Sequence, residues 1–275
     1  MKSIKTFFIV MAAIPVLTFV SHAFAQETPF AIENVPNVVG VGVGMVPDYE
    51  GSNNYEVGAA PFFKLTYPKT QYFAQLIATQ LYVNILNHPF LRLGPVGNYR
   101  FGRNDTFDVD DKVVKKMSEI DNTWEAGAFA GVEFIESDNP RNRFSATVTW
   151  LSDVGNVYKG YNITLTARFW REVLQMMDVS LGVGATYADD NYMDTYFSVS
   201  ESDAERTGLN IFKATGGIRD FSVSPVVVVH LSRDWHVGAG MIYKRLLEDA
   251  KESPLVETVG SPDQIIAGAG IAYSW

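Results

Sequence analysis

The chain has 275 residues, no cysteine and a formal charge of −9 at pH 7. Without a thiol, disulfide stapling, thiolate metal centres and a cysteine nucleophile are excluded, and the acidic balance argues against nucleic acid as a partner. A mean hydropathy of +0.01 with 47% hydrophobic residues fits a soluble protein, but equally a membrane barrel whose strands alternate apolar and polar residues, so periodicity has to separate the two.

In chain order, Lys2 and Lys5 precede an apolar run from Phe7 to Val20, and Ala23-Phe24-Ala25 supplies the small residues a signal peptidase accepts. Residues 1–25 are expected to be a cleaved export signal, leaving 26–275 as a single barrel domain that begins at Gln26 with a formal charge of −11. No later stretch approaches the roughly 20 apolar residues of a spanning helix.

About twelve strands are expected, near residues 37–45, 55–67, 71–84, 90–101, 123–136, 141–153, 157–171, 175–188, 211–219, 221–231, 234–247 and 262–275. Stretch 71–84 mixes its faces, 211–219 is short, and Pro225 interrupts 221–231. The others alternate cleanly. Tyr161, Ile163, Leu165, Ala167 and Phe169 oppose Asn162, Thr164, Thr166, Arg168 and Trp170, and Val179 to Tyr187 opposes Asp178 to Thr186 in the same way. In a soluble lipocalin-like barrel the apolar stripe would point inward. Here the opposite faces carry Gly, Ser, Thr and charges, too little to build an apolar core, so the stripes are expected to face lipid. The fold class is therefore all-β, a transmembrane antiparallel up-and-down barrel with short helices between some strands. The last strand, Ile265 to Trp275, carries its apolar face to Tyr273 and Trp275, the expected signal to the barrel assembly machinery.

Val46-Pro47-Asp48-Tyr49-Glu50-Gly51-Ser52 resembles a signature of the MipA/OmpV family of outer-membrane proteins. So, in order, do Gly94-Pro95-Val96-Gly97-Asn98-Tyr99-Arg100, Tyr192-Met193-Asp194-Thr195-Tyr196-Phe197 and Tyr243-Lys244-Arg245-Leu246-Leu247. The usual closing residue, Phe, is replaced by Trp275. The resemblance implies an outer-membrane barrel without enzymatic activity or cofactor. It further implies a scaffold that brings a murein-degrading lytic transglycosylase together with a bifunctional penicillin-binding protein, although other members look like porins, adhesins or stress-responsive surface proteins. Contact with outer-membrane lipid and lipopolysaccharide follows from that location.

Asp48, Tyr49 and Glu50 sit between Pro47 and Gly51 and read either as a contact loop or as a turn folded over the barrel mouth. In the long gap 102–122, Val109, Val113 and Met117 recur at helical spacing, with acids before bases, predicting a helix over Asp110 to Ile120. In 189–210, Ser202 and Glu205 form a capping pair and Gly208 a stop. These insertions follow the fourth and eighth expected strands, so a first strand rising from the periplasm places both in the periplasm. Val113, Met117, Tyr192, Tyr196 and Phe197 then offer either a docking surface for partners or a plug bracing the rim. Inward positions carry Arg92, Arg100, Glu125, Glu133, Arg143, Arg168, His230, His236 and Lys244, either a selectivity lining or a paired network closing the lumen.

Catalysis finds no support in His88, His230 or His236, none of which adjoins a nucleophile motif. No histidine pair has the short spacing of a metal site. Asp108, Asp110 and Asp111 lack the pattern of a calcium loop. Gly40, Gly42 and Gly44 alternate with Val in a strand rather than opening a phosphate-binding helix.

Overall fold

A computed structural model describes residues 37–104 and 109–275; the expected export signal and Asp108 lie outside them. Twelve antiparallel strands form one closed barrel in which each pairs with its sequence neighbours. They are β1 (Val38–Pro47), β2 (Tyr55–Thr66), β3 (Phe73–Ile77), β4 (Gln80–Asn84), β5 (Leu91–Arg100), β6 (Thr123–Ile135), β7 (Arg143–Asp153), β8 (Tyr161–Leu174), β9 (Met177–Ala188), β10 (Gly217–His230), β11 (Trp235–Leu246) and β12 (Asp263–Ser274). The barrel closes through β1 and β12, in register from Val38↔Ser274 to Met45↔Ala267. Gly40 lies on this seam because a Cβ there would stand 2.3 Å from the Phe62 ring and 2.6 Å from the Ile271 carbonyl oxygen. No helix among the described residues is long and apolar enough to cross a membrane.

The alternation resolves as expected. Val39, Val41, Val43, Leu165, Phe169, Leu181, Ile271 and Tyr273 are exposed on the outside, whereas Arg92, Arg100, Glu125, Arg143, Arg168, His236 and Lys244 are buried inside. An apolar exterior of this extent is unsuited to water and suited to lipid. The interior is not uniformly polar, however. Val38, Phe62, Trp170, Val226, Val228 and Ala272 form one inward apolar cluster, and Val96, Phe129 and Leu151 another.

The strand count agrees with expectation, but two assignments change. Stretch 71–84 is the hairpin β3–β4, turning at Ala78 and Thr79 with Ala78 at φ 53°. Stretches 211–219 and 221–231 contain only β10. Pro225 does not break it: pairing to β9 runs on through Pro225↔Leu181, while the β11 register skips Ser224 and Pro225. A register shift between Ile218 and Asp220 turns both Arg219 and Asp220 inward.

The hairpin reverses the sidedness read from sequence. The insertions follow β5 and β9, and odd-numbered strands run away from the rim that holds Val38 and Ser274. Segments 48–54, 101–104, 109–122, 154–160, 189–216 and 247–262 therefore gather at the opposite rim. With the first strand rising from the periplasm, that rim is the outer one.

These segments pack into a cap that holds the largest apolar core of the molecule. Tyr49, Val114, Met117, Ile120, Tyr158, Tyr192, Met193, Phe197, Leu246, Leu255 and Val256 are buried together there. Four short helices contribute: α1 (Asp190–Phe197), α2 (Glu201–Thr207), α3 (Glu248–Glu252) and α4 (Pro254–Glu257). The helix expected over Asp110 to Ile120 is only a 3-10 turn, Val114–Lys116. The Asp111 carboxylate accepts the Val113 and Val114 N–H groups and starts it. The α2 cap is Ser200 with Asp203 rather than Ser202 with Glu205, while Gly208 ends the helix in the left-handed conformation as expected.

Candidate functional site

The cap rests on a buried polar network formed by residues from three inter-strand segments, 48–54, 154–160 and 189–216, and four strands, β5, β6, β10 and β11. The α1 N-cap, Asp189, accepts the Tyr192 N–H and so orients the first helical turn. Tyr192 then points into the barrel mouth, where its hydroxyl donates to Glu50 at 2.7 Å and accepts from Arg100 at 2.9 Å and Arg219 at 2.6 Å. Arg219 is ion-paired to Glu50 at 3.1 Å and to Asp220 at 2.7 Å. Arg100 pairs with Glu125 at 2.6 Å, and Glu125 also accepts from Asn98 and the Tyr158 hydroxyl. Both guanidinium groups lie about 5 Å from the centre of the Tyr192 ring. Counting Lys244 beside Glu50, three cations face the anions Glu50, Glu125 and Asp220. This balance is what makes so buried a set of charges tolerable.

Burial would raise the Glu50 carboxyl, but Arg219, Arg100 and Lys244 outweigh it and hold the group at about 2. Burial pushes the Tyr192 hydroxyl far above its ordinary range, so it remains a donor to that carboxylate. Burial likewise raises Tyr49, Tyr158 and Tyr196. It also raises Asp48, whose Oδ2 accepts the Asp110 N–H at 2.9 Å. No nucleophile or free base emerges from this arrangement. Its chemistry is that of a lock.

The residues expected to form a docking surface are the substance of that lock. Tyr192 and Phe197 have no exposed surface, and Asp48, Tyr49, Met117 and Tyr196 are buried. Glu50 is tied to Arg219, and Val113 packs against the cap core. The structure brings them together at one rim, with Asp48, Tyr49, Met117, Tyr192, Tyr196 and Phe197 buried. These segments bury their apolar side chains against one another and against the strand ends at Ala188 and Leu246.

Below the lock the lumen is partly filled. Arg92 pairs with Glu133 at 2.7 Å, Arg168 donates to Ser180 and Ser224, and Arg143 stacks on Trp170 at 5.0 Å. A cavity of about 160 Å³ remains among Lys64, Gln75, Tyr82, Arg92, Glu133 and Arg168. A smaller one, about 40 Å³, separates it from the lock. At the Val38 rim the structure joins residues that sequence reading kept apart. His230 and His236 face each other across the β10–β11 turn with Nδ1 atoms 2.7 Å apart. Their symmetric inward placement on either side of a hairpin turn was the signal available for finding them.

An apolar exterior, a charged interior and a rim sealed by the chain itself define a plugged outer-membrane β-barrel. The model of the family described as MltA-interacting protein MipA matches residues 39–275. The chain belongs to that family and resides in the outer membrane. It is similar to the outer membrane protein Omp26La of Vibrio anguillarum, 26% identical over 179 residues, covering 65% of each chain. It is also similar to the putative outer membrane protein YiaT of Escherichia coli K12, 23% identical over 159 residues, covering 56% of this chain and 58% of YiaT. The matches thus span less than two thirds of these relatives. Among solved structures, an outer membrane channel from Pseudomonas putida F1 aligns over 92% of this chain and 100% of its own, with TM-score 0.46 and 9% identity. The translocator domain of NalP from Neisseria meningitidis aligns over 87% and 88%, with TM-score 0.44 and 8% identity.

Proposed function

We infer that the protein is a non-catalytic scaffold, holding a lytic transglycosylase and a bifunctional penicillin-binding protein near one another at the periplasmic mouth of a closed barrel. The family description, MltA-interacting protein MipA, supports a murein enzyme as the first partner. One observation carries the geometry: the plugged rim is spent on self-contact, while the Val38 rim presents an unpartnered apolar ledge. Tyr67, Tyr72, Ile85 and Phe90 are exposed there, and the two turns bearing them are joined where Asn87 accepts the Gln71 N–H at 3.0 Å. Held at such a ledge, a cleaving and a synthesising enzyme act at raised effective concentration, coupling bond breakage to insertion. Photoreactive residues at Tyr67 and Ile85 should capture murein enzymes in intact cells, whereas one at Glu205 on the cap should not. Capture through Glu205 alone would refute the arrangement.

A gated solute pathway is the second reading. It draws on cavities that adjoin one another, sharing Arg100 and Lys244 above and Tyr82 and Thr166 below. Steady conductance of the unmodified barrel in planar bilayers would favour it over the scaffold.

A further inference from the structure

Three buried polar atoms without a hydrogen-bond partner belong to residues around one cavity. They are Asp48 Oδ1, Arg103 Nε and Tyr196 Oη, and the cavity, about 110 Å³ between the cap and the strands, is lined by all three residues. The residues are 4%, 8% and 6% exposed, so bulk water does not serve them. They arrive from separate parts of the chain: Asp48 follows β1, Arg103 follows β5 and Tyr196 lies in α1. Other contacts hold each in place. Asp48 Oδ2 accepts the Asp110 N–H at 2.9 Å, Arg103 Nη2 donates to the Ser118 carbonyl at 3.4 Å, and the Tyr196 ring centre stands 5.7 Å from the Arg100 guanidinium.

Charge narrows what such a cavity takes. A metal cation would face Arg100, Arg103 and Lys244, and a simple anion would face Asp48 and Glu50. A molecule with one anionic and one cationic end meets neither objection. Burial pulls the Arg103 guanidinium down and pushes the Asp48 carboxyl up. The groups that act back on Arg103 are Asp203, Tyr49 and Tyr196, not Asp48, so the two opposite charges stand apart across the space. Val46, Pro47, Phe101 and Ile266 supply apolar wall, and the volume well exceeds the roughly 10–15 Å³ that one water requires.

We propose that this cavity binds a small zwitterion of the amino-acid type, its carboxylate accepting from Arg103 Nε and Tyr196 Oη and its ammonium donating to Asp48 Oδ1. Both ends then make charge-assisted hydrogen bonds, and a short aliphatic side chain meets the apolar wall. The site depends on neither the scaffold nor the conducting reading, although it adjoins the lumen through Arg100 and Lys244.

The test titrates the full-length barrel in detergent with glycine and alanine, and with acetate and ethylammonium, each of which carries only one of the two ends. Either amino acid should bind saturably at one site, with acetate and ethylammonium weaker by about tenfold or more. Tyr196→Phe keeps the ring and removes one donor, so alanine affinity should fall about tenfold. Because that hydroxyl has no protein partner, the urea midpoint for protease protection of segment 189–216 should be the same in Tyr196→Phe as in the unmodified barrel. Saturating alanine should raise the midpoint of the unmodified barrel, and raise that of Tyr196→Phe less at the same concentration. No saturable binding of either amino acid to the unmodified barrel, acetate or ethylammonium binding as tightly, or undiminished affinity in Tyr196→Phe would overturn the proposal and leave the three atoms to ordered water.

Discussion

Tyr192 is the residue on which most of the cap converges, because one hydroxyl satisfies Arg100, Arg219 and Glu50 at once. Tyr192→Phe keeps the ring and removes those three bonds, leaving charged groups short of a partner. It should destabilise the cap by about 2–3 kcal/mol, measurable as a lower urea midpoint for protection of segment 189–216 from protease. Glu50 sets the pH response. Its folded value of about 2 lies below the ordinary 4.5, so its contribution is fully present above 4.5 and is lost as pH falls toward 2. Pepsin nicking of 189–216 should therefore rise across that window, and Glu50→Gln should flatten the rise. The aromatic residues of this site were legible in the sequence, but their role was not. Glu50, Arg100 and Tyr192 stand 92 to 142 positions apart along the chain in their hydrogen bonds, and side-chain periodicity says nothing about which distant polar groups meet.

The elements show where periodicity succeeds and where turn chemistry misleads. β8 and β9 alternate without exception at their centres, so their faces could be read directly, although β8 runs from Tyr161 to Leu174 rather than over 157–171. The β3–β4 hairpin could not, because it turns on Ala78 and Thr79 without the Gly or Asn that marks a tight turn. Pro225 misled in the other direction, since a ladder on one side is enough to carry a strand past it. The acid-before-base order in 109–120 suggested a helix, yet tertiary packing of Val114, Met117 and Ile120 into the cap won over that local preference. Removing α1 and α2 tests their role as a stopper. Replacing 190–216 by a short turn should leave heat-modifiable migration of the folded barrel intact, yet give it measurable single-channel conductance in planar bilayers.

At the scale of the molecule the decisive partition is greasy outside, charged inside. Leu165, exposed near the middle of β8, pairs across to Val148, also exposed. Leu165→Arg should cost about 2–4 kcal/mol in folding from urea into lipid bilayers, whereas an inward change at Thr166 should cost far less. A chain without cysteine makes sidedness simple to measure. On intact cells a membrane-impermeant maleimide should label Glu205→Cys on the cap but not Asp138→Cys in the β6–β7 turn. The cap also has a consequence for how damage to this protein would be felt. Its core joins residues from segments spread between Tyr49 and Val256, which meet only when the strands beneath them stand side by side. Sealing is thus the last thing assembly can achieve, and a substitution that spoils only the seal leaves an inserted, correctly located barrel with its bung removed. Such an allele would announce itself as dominant entry of bulky antibiotics and detergents into the cell, a phenotype that outright deletion of the protein would not produce.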